Sequence, residues 1–121
     1  MNDFEFREVL KTRTKVFSLR VIKLFQVLPK ATESQIIGKQ LLRSATSVAA
    51  NYRAACRARS QQEFYSKISI VTEEADESLF WLELLSESEI MKKEVLNDLY
   101  LETEEILKIM ATIRKNSKKI N

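Results

Sequence analysis

Arginine sets what this chain can do chemically, and the lack of histidine sets what it cannot. Residues 38–59 read GKQLLRSATSVAANYRAACRAR and carry Lys39, Arg43, Arg53, Arg57 and Arg59 without an acid. Residues 60–85 follow with one Lys against six acids, including Glu73, Glu74 and Glu77. A guanidinium is a planar fork that matches carboxylates and phosphates. Arg53 and Arg57 stand one helical turn apart and project together. Three uses are open to these groups. They can pair with Glu73, Glu74 and Glu77 inside the fold. They can pair across a subunit interface, where Arg is favoured. Or they can face phosphates, with Tyr52 or Tyr65 stacking nearby. Arg7, Lys11, Arg13 and Lys15 would extend such a phosphate-binding surface. Asn51 has poor mid-helix propensity; a buried hydrogen-bonding role and a plain surface position both account for it.

Several chemistries lack their parts. With no His in the sequence, the usual general base, the Ser-His-Asp arrangement and the Glu-x-x-His pairs of di-iron bundles are missing. Gly38 stands alone, so no Gly-rich phosphate loop exists. Cys56 is the single cysteine; it forms no intrachain disulfide or thiolate metal site, and it favours a reducing compartment. Glu73, Glu74, Asp76 and Glu77 could in principle hold a hard divalent ion. On one helix they diverge: Glu73, Asp76 and Glu77 share a face, while Glu74 and Glu77 share another. Pairing with arginines, or a solvated face, is the simpler reading. The expectation is a protein that is not an enzyme, with no cofactor, no metal and no small-molecule substrate.

These residues need elements to position them. One Gly and one Pro in 121 residues, against about 7% and 5% in ordinary proteins, leave too few turn residues for sheets. The length fits one domain, residues 1–121. Heptad seams mark four helices. The first, about 3–28, has Leu10, Thr14, Phe17, Val21, Leu24 and Leu28, with Asp3 as N-cap or first-turn acid. Val9, Val16, Ile22, Phe25 and Val27 widen its apolar surface enough to touch more than one neighbour, and Pro29 ends it. The second, about 34–58, has Gly38, Leu41, Ala45, Val48, Tyr52 and Ala55, with Thr32 or Ser34 as cap. Its small residues would let another helix approach closely. The third, about 61–87, opens on a Ser60–Glu63 capping box; its seam is Phe64, Ile68, Val71, Ala75, Ser78, Leu82 and Leu85, with Trp81 expected in the core. The fourth, about 92–115, has Leu96, Leu99, Thr103, Ile106, Met110 and Ile113, and the basic tail from Lys115 to Lys119 is expected to fray. Short links predict an all-α, antiparallel up-down-up-down four-helix bundle.

Charge is unevenly spread: 12 Lys/Arg against 4 Asp/Glu in residues 1–59, and 1 against 8 in residues 60–90. That asymmetry points to internal pairing or to a basic face for nucleic acid or anionic lipid. No stretch approaches about 18 consecutive apolar residues, so no membrane span is expected. Met1 leads directly into charged residues with no signal-like apolar run, and a cytoplasmic location is expected.

The run Gln40–Leu85 resembles the bacterial four-helix-bundle proteins of the 23S ribosomal RNA intervening-sequence family, to which ribosomal-protein-like labels are attached. The matching positions are Gln40, Leu41, Arg43, Ser44, Ser47, Val48, Ala50, Asn51 and Tyr52, then Arg53, Arg57, Ser60, Glu63 and Phe64. Glu74, Asp76, Glu77, Ser78, Trp81, Leu82 and Glu83 complete the pattern. The likeness covers about residues 13–110. Ala54-Ala55 stands where many members have Glu-Gly, which matches an arginine-rich subgroup. The family is similar to the accessory variability protein of diversity-generating retroelements. The resemblance implies a non-enzymatic homo-oligomer, a ring of five, with a link to RNA or DNA. On that reading Lys39, Arg53, Arg57, Arg59, Arg7, Lys11, Arg13 and Lys15 are candidate phosphate contacts. Arg43, Asn51, Glu73, Glu74 and Glu77 are the candidate interface or salt-bridge network. The alternative is an assembly module whose arginines are all used in Arg–Glu interfaces.

Overall fold

Helices α1 (Asp3–Val27), α2 (Thr32–Cys56), α3 (Gln61–Glu87) and α4 (Lys93–Ser117) make up the computed structural model, which describes residues 1–118. Among the described residues there is no strand, and the fold is a four-helix bundle. The four seams form one core. Val21, Ala45, Val48, Ile68, Val71, Ala75, Leu85 and Met110 are fully buried, and Leu10, Phe17, Leu41, Tyr52, Leu82 and Ile106 nearly so. Each large side chain among them contributes about 1.5–3 kcal/mol on leaving water. Phe64 and Ile113 lie only half-buried at the ends of their seams.

The bundle also buries hydroxyls, and each has a partner. Thr14 donates to the Leu10 carbonyl at 2.9 Å and Thr103 to the Leu99 carbonyl at 2.7 Å. Ser44 and Ser78 meet oxygen to oxygen at 2.8 Å between α2 and α3. No buried side-chain polar atom among the described residues is left unpaired. The polar defects in the seams therefore cost little, because each hydroxyl is satisfied as it is buried.

Small residues decide how closely α1 and α2 approach. A Cβ on Gly38 would lie 2.5 Å from Leu28 Cδ1 and 2.9 Å from Phe25 Cδ1. Further along, Ser18 Oγ donates to the Ala45 carbonyl at 3.3 Å, a contact a larger residue at 45 would block. Helix α4 meets α3 at two levels: Arg114 Nε donates to Ser69 Oγ at 2.9 Å, and Tyr100 Oη to Glu83 at 3.0 Å. Between α1 and α4 packing is thin. The contact there is polar, with Arg13 donating to both Glu102 carboxylate oxygens at 2.7 and 2.8 Å.

Of the two roles expected for Asp3 the structure shows the first-turn acid, while the start of α2 differs from expectation. Asn2, not Asp3, caps α1, accepting from the Glu5 N–H at 2.8 Å; Asp3 is a first-turn acid. Helix α2 begins at Thr32 behind Ala31, with no side-chain cap. Neither Thr32 nor Ser34 serves, because both already lie inside the helix; Gln35 Nε2 separately donates back to the Pro29 carbonyl at 2.9 Å and ties the turn to the helix. Ser60 caps α3 as expected, accepting from the Glu63 N–H at 3.0 Å. Helix α4 continues through Lys115 to Ser117, which donates to the Ile113 carbonyl at 2.7 Å, rather than unwinding at Lys115; Lys119 lies outside the described residues.

Candidate nucleic-acid interface

Four of the expected phosphate contacts come together. Lys11 and Lys15 on α1 face Arg53 on α2 and Arg57 at its C-cap across a groove of about 500 Å³. Each pair is one helical turn apart, about 6 Å along the axis. Ala49 and Ala50 form its floor, and their small side chains are what leaves it open. Lys15, Arg53 and Arg57 are exposed and make no ion pair with a described residue; Lys11 pairs with Glu8. That pair is half-exposed and worth well under 1 kcal/mol, so a phosphate can displace it.

The other candidates are placed elsewhere. Lys39 is exposed on α2, away from the groove. Arg59 lies in the link after α2 rather than on that helix; its side chain is 91% exposed and reaches Glu63 only at 3.9 Å. Arg7 lies over the Phe64 ring, 5.5 Å from its centre. Arg13 is committed to Glu102: the hydrogen bond from Arg13 is the chief reason the Glu102 carboxyl is held below its ordinary range.

The acidic helix meets a different arginine from the exposed pair. Arg43 donates to Glu74 at 2.9 Å and to Glu77, and Trp81 Nε1 also donates to Glu77 at 2.9 Å. The Trp81 hydrogen bond first, and Arg43 second, holds the Glu77 carboxyl low despite partial burial. Trp81 is thus half-buried at the edge of the core rather than inside it. Glu73 and Asp76 are exposed. No group of three or more His, Cys, Asp or Glu among the described residues could hold a metal ion. Asn51 does not reach across the bundle. It is half-buried and donates to the Ser47 carbonyl and hydroxyl, at 3.0 and 2.9 Å, on its own helix.

Neither Tyr52 nor Tyr65 lines the groove. Tyr52 is 1% exposed, as its place in the α2 seam requires, and burial pushes its phenol well above the usual range. Tyr65 is covered by Arg114, whose guanidinium lies 5.0 Å from the ring centre. The Arg114–Tyr65–Ser69 and Arg13–Glu102 contacts were missed in the sequence, where nothing local marks them.

A four-helix bundle with a basic groove between its first two helices is the class that fold and site define. The family model of the 23S rRNA-intervening sequence protein matches residues 9–112, and the chain belongs to that family. A crystal structure of a protein of unknown function from the S23 ribosomal protein family of Bacteroides thetaiotaomicron is similar, with a TM-score of 0.83 and 34% identity over 90% of this chain and 97% of that one. No curated protein matches by sequence. No helix among the described residues is long and apolar enough to cross a membrane.

Proposed function

We propose that this protein is a non-enzymatic homo-oligomer that binds RNA or DNA through the α1–α2 groove, acting in the cytoplasm. The carrying observation is the convergence of Lys11, Lys15, Arg53 and Arg57 on one groove, three of them without a carboxylate partner among the described residues. In this reading the helices alternate up and down and the protomers close into a ring, five being the number the resemblance implies. Ring closure would cover apolar side chains that stand in water on α1: Val9 and Val16 at 47% exposure, Leu19 at 52% and Val27 at 68%.

Four phosphate contacts predict a salt slope of about −2.8 for a strand to −3.6 for a duplex, so affinity for a labelled probe should fall about 50- to 150-fold between 50 and 200 mM salt. Arg57→Ala should weaken binding and flatten that slope by about one. Absence of binding at 50 mM salt to the assembled protein overturns the reading. Light scattering tests the assembly independently, a ring of five giving about five times the 14.1 kDa protomer mass.

An assembly module without nucleic acid is the second reading. It is favoured by the two arginines already bound to carboxylates, Arg13 to Glu102 and Arg43 to Glu74 and Glu77. It predicts oligomers that ignore added RNA and DNA at every salt concentration.

A further inference from the structure

We infer that the groove takes the sugar–phosphate backbone of a double helix, without regard to sequence, rather than a single strand. The inference rests on the nucleic-acid reading above and concerns which form of nucleic acid the same groove selects.

Single-strand sites depend on aromatic faces on which successive bases stack, and each stack contributes substantially. This groove has none. Its lining consists of the four cations, Ala49 and Ala50, and the hydroxyl-bearing Thr12, Ser18 and Thr46. The nearest aromatics in sequence, Phe17 and Tyr52, are both sealed in the core. Tyr65 lies under Arg114, and Trp81 is bonded to Glu77 in the network that holds Arg43. A strand lying here would find charge and no platform for its bases.

Charge density works the same way. A duplex presents one phosphate per about 1.7 Å of axis, and its counterion release per contact exceeds that of a single strand, about 0.9 against 0.7. A groove that binds only through cations therefore gains more from a duplex. Rigidity adds to this. Lys11 and Lys15 stand on one helix and Arg53 and Arg57 at the end of another, each pair about 6 Å apart along its axis. A stiff duplex already holds its phosphates in a fixed line, while a flexible strand must lose conformational freedom to match them. Of the three hydroxyls in the lining, Thr46 donates to the Leu42 carbonyl at 2.8 Å and Ser18 to the Ala45 carbonyl at 3.3 Å. Their protons are used on the protein's own backbone, and the lining holds no Asn, Gln, Asp or Glu to pair with adenine or cytosine edges, so little in the groove distinguishes one base pair from another.

The test uses the full chain and fluorescence anisotropy at about 50 mM salt. The probes are 20-base-pair duplexes of two unrelated sequences, in RNA and in DNA, with oligo(A) and oligo(U) strands of equal length. The expected result is duplex affinity at least tenfold above either strand, equal for the two sequences. Salt slopes of about −3.6 for duplex and −2.8 for strand are expected from four contacts. Arg53→Ala with Arg57→Ala should reduce duplex binding at least tenfold while circular dichroism stays unchanged. Strands bound as tightly as duplex, or oligo(A) preferred through stacking, would overturn this inference and leave nucleic-acid binding standing. Binding to no probe would remove the underlying reading, and this one with it.

Discussion

The thin seam between α1 and α4 places an unusual share of its stability on one side chain, and Arg13→Met isolates it. Methionine keeps most of the stem and removes the fork. The variant loses two charge-assisted hydrogen bonds to Glu102, at 2.7 and 2.8 Å. Exposed pairs of this kind contribute about 0.2–1 kcal/mol, and breaking a fully buried one costs about 3–5 kcal/mol. Here the side chains are 31% and 19% exposed, so a loss of about 1.5–2 kcal/mol is expected at pH 7. The pH dependence carries the sharper test. Arg13 lowers the folded-state pKa of Glu102 from its ordinary value of 4.5. The contribution is therefore complete above that ordinary value and is lost as pH falls through the lowered one. The wild-type advantage should hold from pH 7 to about 5 and then shrink steadily toward pH 2.5. Urea unfolding followed by Trp81 fluorescence and by far-ultraviolet circular dichroism measures both, with protein concentration fixed because assembly would shift the midpoint. A difference below about 0.3 kcal/mol at pH 7, or one that grows on acidification, would refute the argument.

Two further substitutions probe the interior. Gly38→Leu places a branched side chain where a single Cβ already meets Leu28 and Phe25 at 2.5 and 2.9 Å; it should destabilise by about 3 kcal/mol in the same urea assay, despite better helix propensity. Ser44→Ala and Ser78→Ala should each cost about 1–2 kcal/mol. The double variant should cost less than the sum, since the contact between the two hydroxyls is lost only once, although each also donates to a carbonyl on its own helix; strict additivity would show that the 2.8 Å contact contributes nothing.

The core was legible because a heptad seam is a local pattern. Every residue of the α1 and α2 seams is buried, down to the polar Thr14 and the lone Gly38. Helix α3 starts where Ser60 and Glu63 say it should. Starts without that signature were less legible: Ala31 offers no acceptor to cap α2, and the Gln35 bond to the Pro29 carbonyl that ties the turn has no recognised spacing. Site residues divide by reach. Glu74 and Glu77 share a face three residues apart and meet one arginine, as helical spacing requires. Arg13 and Glu102 are 89 residues apart, and no local pattern pairs them. Tyr52 differs again, because the sequence offers it both as a seam position and as a stacking surface. The seam prevails, because a phenol ring 1% exposed has no face to offer.

The separation of carboxylate-bound from free arginines on one helix follows from register. The Ser44–Ser78 contact sets α2 against α3, and the link between Cys56 and Gln61 keeps the end of α2 beside the start of α3. Arg43, next to Ser44, is therefore level with the acids at Glu74 and Glu77. Ten residues later, Arg53 lies toward the α3 start, where residues 64–70 contain Lys67 and no acid. At about 100° per residue, those ten steps also turn Arg53 about 80° off the direction of Arg43, away from α3 and onto the α1 side. There it meets Lys15 rather than a carboxylate. The same repeat that gives α2 one buried seam thus hands its central arginine to the acidic helix and its C-terminal pair to the lysines of α1. Like charges brought together on rigid helices repel one another, and a bound polyanion relieves that repulsion. Neutralising Lys15 and Arg53 together should accordingly leave the fold as stable or slightly more so, the opposite of what Arg13→Met does.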